Sequence, residues 1–224
     1  MPHSGQFCGH ATNTLEEVIQ AAIAKGFQTF ALTEHIPRPI EDFYPGEEKS
    51  HTARDKAGGT DEQLFQDYFD SQFEMLQALR PPVVGHFDLI RLLSDHRDAD
   101  FKGMVGVWSK IQRNLGYISS YGGLLELNSS GLRKGLAEPY PCLPICQMFL
   151  GMGGGFVMSD DSHGIEQIGT NYARLLAFVD KAGIGRIHFA DRAGIGKDSR
   201  FPNTGFSSID VTDLVQLPFW SNLN

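Results

Sequence analysis

Residues 156–164 read Phe156-Val157-Met158-Ser159-Asp160-Asp161-Ser162-His163-Gly164. A short apolar run ends in two acids and a histidine, and Ile165 then opens a segment with helical spacing. The pattern predicts a strand, a loop and a helix, the helix running from Ile165 to Ala182 with Ile168, Leu175, Leu176 and Val179 inward. In an α/β protein, side chains at such a strand end face the mouth of a ligand crevice. Asp161 and His163 then aim at one spot, and a carboxylate with an imidazole suits Zn, Mn or Fe. The same residues also fit a plainer reading, with Ser159, Asp160 or Asp161 as a helix cap beside a surface histidine. The choice turns on whether other histidines reach similar places.

Upstream, Gly151 to Gly155 form a glycine turn. It leads into a strand rather than a helix, so it is not a dinucleotide fingerprint. Pro144 begins a short helix through Phe149. Gly123 to Asn128 reads as a strand, followed by the turn Ser129-Ser130-Gly131 with Arg133 and Lys134. Val105 to Tyr117 is a helix, preceded by a charged loop containing His96. Val83 and Val84 open a brief strand that delivers His86 and Asp88 near its end, with Arg91 just beyond. Leu64, Tyr68, Phe69, Phe73, Leu76 and Leu79 mark a helix from about Asp61 to Leu79; Thr60 or Asp61 caps it and Pro81-Pro82 stops it.

Residues 40–60 hold no periodic run, an anomalous gap for this fold class. Before them, Phe27 to Leu32 reads as a strand ending in Thr33-Glu34-His35. A first helix carries Leu15, Val18, Ile19, Ala22 and Ile23, with Glu16 and Glu17 favoured in its first turn and Thr12 or Asn13 as its cap. His3 and His10 stand in the polar opening segment. Ile184 to Phe189 reads as the last strand. From Ala190 the apolar period fades, and Phe219 and Trp220 offer an anchor for a partly ordered tail.

Composition narrows the class. A chain of 224 residues, 41% hydrophobic, has room for one domain with a sizeable core. The net charge of −8 comes without a basic block, so neither nucleic acid nor an anionic membrane is expected as a partner. Cys8, Cys142 and Cys146 are an odd set, so a disulfide framework is not expected, and Cys142 and Cys146 read as core or half-buried thiols. No apolar window is long enough for a membrane span, and no signal peptide is expected, which makes a reducing, cytoplasmic setting the default expectation.

Alternating strand and helix patterns argue an α/β fold with a parallel sheet or barrel, whose strand ends open on one face. His35, His86, Asp161 and His163 all fall at such ends, and the loop carrying His3 and His10 can fold over the same face. One cause explains this placement, a shared oxygen and nitrogen ligand set able to hold two or three metal ions. Such ions supply a nucleophile at neutral pH and clamp a phosphoryl or acyl oxygen. Arg91 and Arg133 follow two of these strands, where a guanidinium matches a phosphate bidentately; ion pairs between loops are the alternative. No Gly-x-Ser-x-Gly elbow is present, and Ser162 reads as a loop hydroxyl.

Four blocks carry a resemblance. They are His3-Ser4-Gly5-Gln6-Phe7-Cys8 with His10, Leu32-Thr33-Glu34-His35-Ile36-Pro37, Gly85-His86-Phe87-Asp88-Leu89-Ile90-Arg91 and Ser159-Asp160-Asp161-Ser162-His163. Glu126-Leu127-Asn128-Ser129-Ser130-Gly131-Leu132-Arg133 adds a fifth. In this order they resemble the PHP family of metal-dependent phosphoesterases, and within it the fungal-type histidinol-phosphatases.

The resemblance implies a distorted (β/α)7 barrel over residues 1–189, incomplete here, with 190–224 as a polar extension. It implies up to three divalent ions and hydrolysis of L-histidinol phosphate, a small phosphorylated amino alcohol, by a monomer or homodimer. On the matching positions, His3, His10, His35, His86, Asp161 and His163 are metal ligands, Asp161 and His163 the closing catalytic pair, and Arg91 and Arg133 phosphate contacts. Asp160 reads as a supporting acid. The departures are specific. Met1 stands where the first histidine of the opening pair belongs, and a glutamate ligand and a Gly-Ser-Val-His-like block are missing between Tyr44 and Thr60. They imply a deleted strand-helix-strand portion near 45–60. Two alternatives follow: an impaired or inactive remnant of the fold, or a phosphoesterase for another small phosphomonoester.

Overall fold

The computed structural model describes residues 3–5, 10–31, 59–94, 96–191 and 205–223. In chain order its elements are α1 (Leu15–Ala24), α2 (Asp61–Leu79), β1 (Val83–Val84), α3 (Val105–Ser120), β2 (Leu124–Asn128), the single turn α4 (Ser130–Arg133), α5 (Leu143–Gly151), β3 (Gly155–Ser159), α6 (Tyr172–Ala182), β4 (Arg186–Ala190), β5 (Phe206–Asp210) and the short α7 (Val211–Leu214). Short 3-10 turns lie at Leu89–Leu93, Ile165–Gln167 and Pro218–Asn222.

The strands form one curled, open half-barrel sheet in the order β1-β2-β3-β4-β5. Strands β1 to β4 run parallel, and β5 closes the edge antiparallel to β4. Every residue of β2 is buried, as a strand covered on both faces requires. Helices α2, α3, α5 and α6 pack successively against one another. Their core holds Phe65 and Phe69 of α2 with Phe87 and Phe101, ring centroids 5.2–6.0 Å apart. Burying each such ring is worth about 1.5–3 kcal/mol.

Local signals explain the boundaries. The Thr60 hydroxyl accepts the Gln63 amide at 3.2 Å to start α2, and Arg80, left-handed at φ 43°, ends it before Pro81. The α1 cap is Thr14, one residue past the expected candidates. Thr14 and Glu17 form a reciprocal capping box, while Asn13 instead accepts the Ile165 amide at 3.0 Å.

Three further expectations are corrected. The helix expected from Ile165 to Ala182 is a 3-10 turn and then α6, broken between. Gly169 and Asn171 adopt positive φ there, and the Gly169 amide donates to the Asp160 carboxylate at 2.7 Å, a bond that a continuous helix would forbid. Phe27 to Ala31 form no strand: the edge of β4 is already paired along its length with β5, and Phe27 packs its ring edge-on against Phe219 at 4.7 Å. β4 is therefore not the last strand; β5 lies in the stretch read as an extension. The expected anchor does dock, Phe219 on Phe27 and Trp220 beside Tyr172. Cys142 and Cys146 are free and buried. No helix among the described residues is long and apolar enough to cross a membrane.

Candidate metal centre

The register of the sheet builds the site. Asn128 is paired with Ser159, so β2 and β3 end level, and the Ser129 amide extends the pairing to the Ser159 carbonyl at 2.8 Å. Just past these ends the chain turns sharply, with Asp161 at φ 49°. The opening segment is tied across the turn, with the His3 amide on the Ser162 carbonyl at 2.8 Å and the Thr12 amide on the His163 carbonyl at 2.9 Å. The Asp160 carboxylate accepts the Ser162 and Gly169 amides, so it braces the loop.

These ties gather His3, Asp161 and His163, whose ligand atoms lie within 4.8 Å of one another. Two imidazoles and a carboxylate are a donor set for a borderline divalent ion. Electrostatics agree with that use. Burial pushes the His163 pKa down to about 4, so the ring is neutral at pH 7. Its Nδ1 lies 2.8 Å from the Asp161 carbonyl, which only accepts, so Nδ1 carries the proton and Nε2 keeps its lone pair. Burial opposes ionisation of Asp161, but hydrogen bonds from His3 and His86 and the His86 charge outweigh it and hold the carboxyl well below its usual range.

The other expected residues take different places. His86, at φ 54°, faces Asp161 Oδ2 through Nε2 at 3.3 Å. Its amide donates to Glu126 Oε2 at 2.9 Å, and its carbonyl accepts the Tyr68 hydroxyl at 2.6 Å. His10 stacks on His163, centroids 4.6 Å apart. His35 lies outside the described residues. Arg133 donates to the Asp160 and Asp161 carbonyls at 3.1 and 3.0 Å, bracing the sharp turn. Arg91 is buried, 3% exposed; its guanidinium pairs with Asp88 at 2.7 Å and donates to the Pro139 carbonyl at 3.0 Å.

Sequence reasoning missed Glu126, Ser130, Lys134 and Tyr140 as parts of this site. Ser130 Oγ and Lys134 Nζ approach Asp161 Oδ2 at 3.3 and 3.4 Å, and the Tyr140 hydroxyl bonds Ser130 Oγ. An acid inside the apolar run Leu124–Leu127 was the available signal for Glu126. A separate cavity of about 440 Å³ between Phe27, Tyr172, Ile187 and Trp220 is largely apolar and is lined by none of the triad.

The family profile described as "PHP domain" matches residues 2–54. The "Probable histidinol-phosphatase" of Schizosaccharomyces pombe is 31% identical, aligned over 92% of this chain and 94% of that protein. The chain belongs to the PHP-domain superfamily. Among its PHP relatives, the "Histidinol-phosphatase" of Saccharomyces cerevisiae is 34% identical over 70% of this chain and 52% of that protein. The "Probable histidinol-phosphatase" of Deinococcus radiodurans is 22% identical over 83% of this chain. A solved Listeria monocytogenes structure, carried under the name histidinol phosphatase hisK, matches 77% of this chain with a TM-score of 0.63 at 19% identity, a likeness of fold. The alignment to the S. pombe protein runs over 286 positions, more than the 224 residues of the chain. This PHP chain therefore lacks residues that its relative carries within the aligned span.

Proposed function

We propose that this chain is a metal-dependent phosphomonoesterase that hydrolyses L-histidinol phosphate to L-histidinol and inorganic phosphate. The observation that carries the reading is the triad His3, Asp161 and His163 at the level ends of β2 and β3. The substrate comes from the names of the relatives, two of them more than 30% identical. In this reading the half-barrel belongs to a distorted (β/α)7 barrel whose sheet runs past residue 189 to include β5. Further ions, to a total of up to three, draw on His10, His35 and His86.

The residues divide the work. His3, Asp161 and His163 hold a Zn, Mn or Fe ion, with His163 neutral at working pH. Such an ion supplies Lewis acidity toward a phosphoryl oxygen and a nucleophile at neutral pH. Arg133 fixes the Asp160–Asp161 backbone, so the ligands keep their places. Lys134, 40% exposed at its side chain, offers a cation to the phosphate dianion. Arg91, paired with Asp88, holds the loop that follows His86 rather than meeting the phosphate.

The test is phosphate release from histidinol phosphate with added Mn or Zn, against a panel of other small phosphomonoesters, in wild type and His163→Ala. A rate selective for histidinol phosphate and lost in His163→Ala supports the reading. A rate unchanged by the substitution removes the triad from the chemistry. The residues missing relative to the S. pombe protein favour a second reading, an impaired remnant of the fold. Purified protein that binds the ion yet releases no phosphate from any ester selects it.

A further inference from the structure

Asp161 has two carboxylate oxygens, and the site treats them differently. Oδ1 faces His3 Nε2 at 3.5 Å. Oδ2 faces three groups: His86 Nε2 at 3.3 Å, Ser130 Oγ at 3.3 Å and Lys134 Nζ at 3.4 Å. Ser130 Oγ is also bonded to the Tyr140 hydroxyl. Ser130 has one proton, and an ionised carboxylate only accepts. The Ser130 proton therefore goes to Asp161, and Tyr140 must donate its own to Ser130. The order of donation is fixed as Tyr140 to Ser130 to Asp161 Oδ2.

The relay stands on rigid supports. Tyr140 and Ser130 are fully buried. Tyr140 exchanges both backbone hydrogen bonds with Asn128, the last residue of β2. The Asn128 side chain accepts the Ser130 amide at 2.9 Å. One face of the Tyr140 ring lies toward His86, centroids 5.5 Å apart. On another side a methyl group added at Gly131 would sit 2.9 Å from the ring, so Gly131 is what lets the ring come so close. The residues on either side are held from the loop that carries His86: Arg91 grips the Pro139 carbonyl and Asp88 accepts the Cys142 amide at 3.0 Å.

We propose that Tyr140 and Ser130 are positioning residues that pin Oδ2 of Asp161 and so leave Oδ1, on the His3 side, as the single oxygen offered to the ion. This inference rests on the metal-site reading above. It concerns how the carboxylate is held, and neither residue touches substrate. Removing the relay takes one of the three groups from Oδ2 and leaves His86 and Lys134, so the carboxylate is held less firmly and gains freedom to rotate or bind through both oxygens.

The test uses the full chain with Co(II), whose visible bands report coordination number, and titration with Mn(II) or Zn(II) for affinity. Variants are Tyr140→Phe, Ser130→Ala, the double variant and His163→Ala. Loss of a partner that orients a ligand costs on the order of 10-fold in affinity. Tyr140→Phe and Ser130→Ala should each weaken binding by about that factor and dim the cobalt bands as coordination rises. The double variant should be no weaker than Ser130→Ala alone, because both act through one bond. Tyr140→Phe should keep the wild-type circular dichroism spectrum. Affinity within two-fold of wild type with unchanged cobalt bands in Tyr140→Phe overturns the relay, as do additive losses in the double variant. If His163→Ala loses the ion while Tyr140→Phe does not, only the relay fails. If His163→Ala binds the ion like wild type, the metal-site reading fails and the relay falls with it.

Discussion

Arg91 separates two accounts of the same residue. Sequence placement after a strand makes it a phosphate contact, whereas the structure closes it into an ion pair with Asp88, 3% and 0% exposed. Burial works against the Arg91 charge, but Asp88 outweighs it and raises the guanidinium pKa further. Arg91→Met keeps most of the stem's volume and removes the charge, so Asp88 is left buried without its cation. Breaking one partner of such a pair costs about 3–5 kcal/mol. At about 2–4 °C per kcal/mol for a chain of this size, the melting temperature should fall by about 6–20 °C. Adding Asp88→Asn removes the orphaned charge and keeps an acceptor for the Cys142 amide, so the double variant should recover a large part of the loss. Thermal melts of the metal-free protein measure both. A melting temperature within about 2 °C of wild type, with the damage confined to KM for the phosphoester, would refute the clamp and restore Arg91 to the substrate.

Further outcomes follow from the same geometry. Gly155→Ala puts a methyl 2.5 Å from the His188 ring and 2.9 Å from Leu124, inside the sheet, so denaturant unfolding should show a loss of about 1–3 kcal/mol. Thr14→Ala removes the capping box of α1 and should cost about 1 kcal/mol in the same assay. The pH dependence has a definite sign: His163 titrates at about 4 when folded against 6.5 when free. The unfolded chain therefore takes up this proton first as pH falls, so this contribution to the metal-free protein's stability is present above pH 6.5 and is lost on acidification toward 4. Allowing for the solvent that reaches this half-buried ring, the loss is about 1–2 kcal/mol, and His163→Ala should flatten that window of the stability profile. Lys134→Ala should raise KM for a phosphoester several-fold and leave the melting temperature nearly unchanged, since its exposed pairing contributes little to folding.

Much of the site was legible because its chemistry interrupts a pattern. Asp161 and His163 stand out at the end of Phe156–Ser159, and the parallel sheet brings them to the face that also receives His86. His3 was legible from a polar opening loop able to fold over the strand ends, and from block resemblance. Other features depend on packing that spacing does not encode. Ser130 and Tyr140 meet because the chain reverses through α4 and returns beside Asn128. Arg91 and Asp88 are three apart in a 3-10 turn, so the acid that neutralises the arginine was in view, but the burial that closes the pair was not. The break between Ile165 and Tyr172 comes from a carboxylate claiming the Gly169 amide, a tertiary contact that overrides helical spacing. Strand β5 has only Phe206 and Ile209 as large apolar residues, too few to show a period, and forms because β4 offers an open edge.

The central claim is that His3, Asp161 and His163 converge on one ion. Anomalous diffraction at the zinc or manganese edge from crystals of the metal-loaded full chain tests it most directly. The account expects a peak within bonding distance of a nitrogen of both histidines and of Asp161 Oδ1, and no such peak in His163→Ala. A wild-type peak elsewhere, or none at the triad under saturating metal, would contradict it.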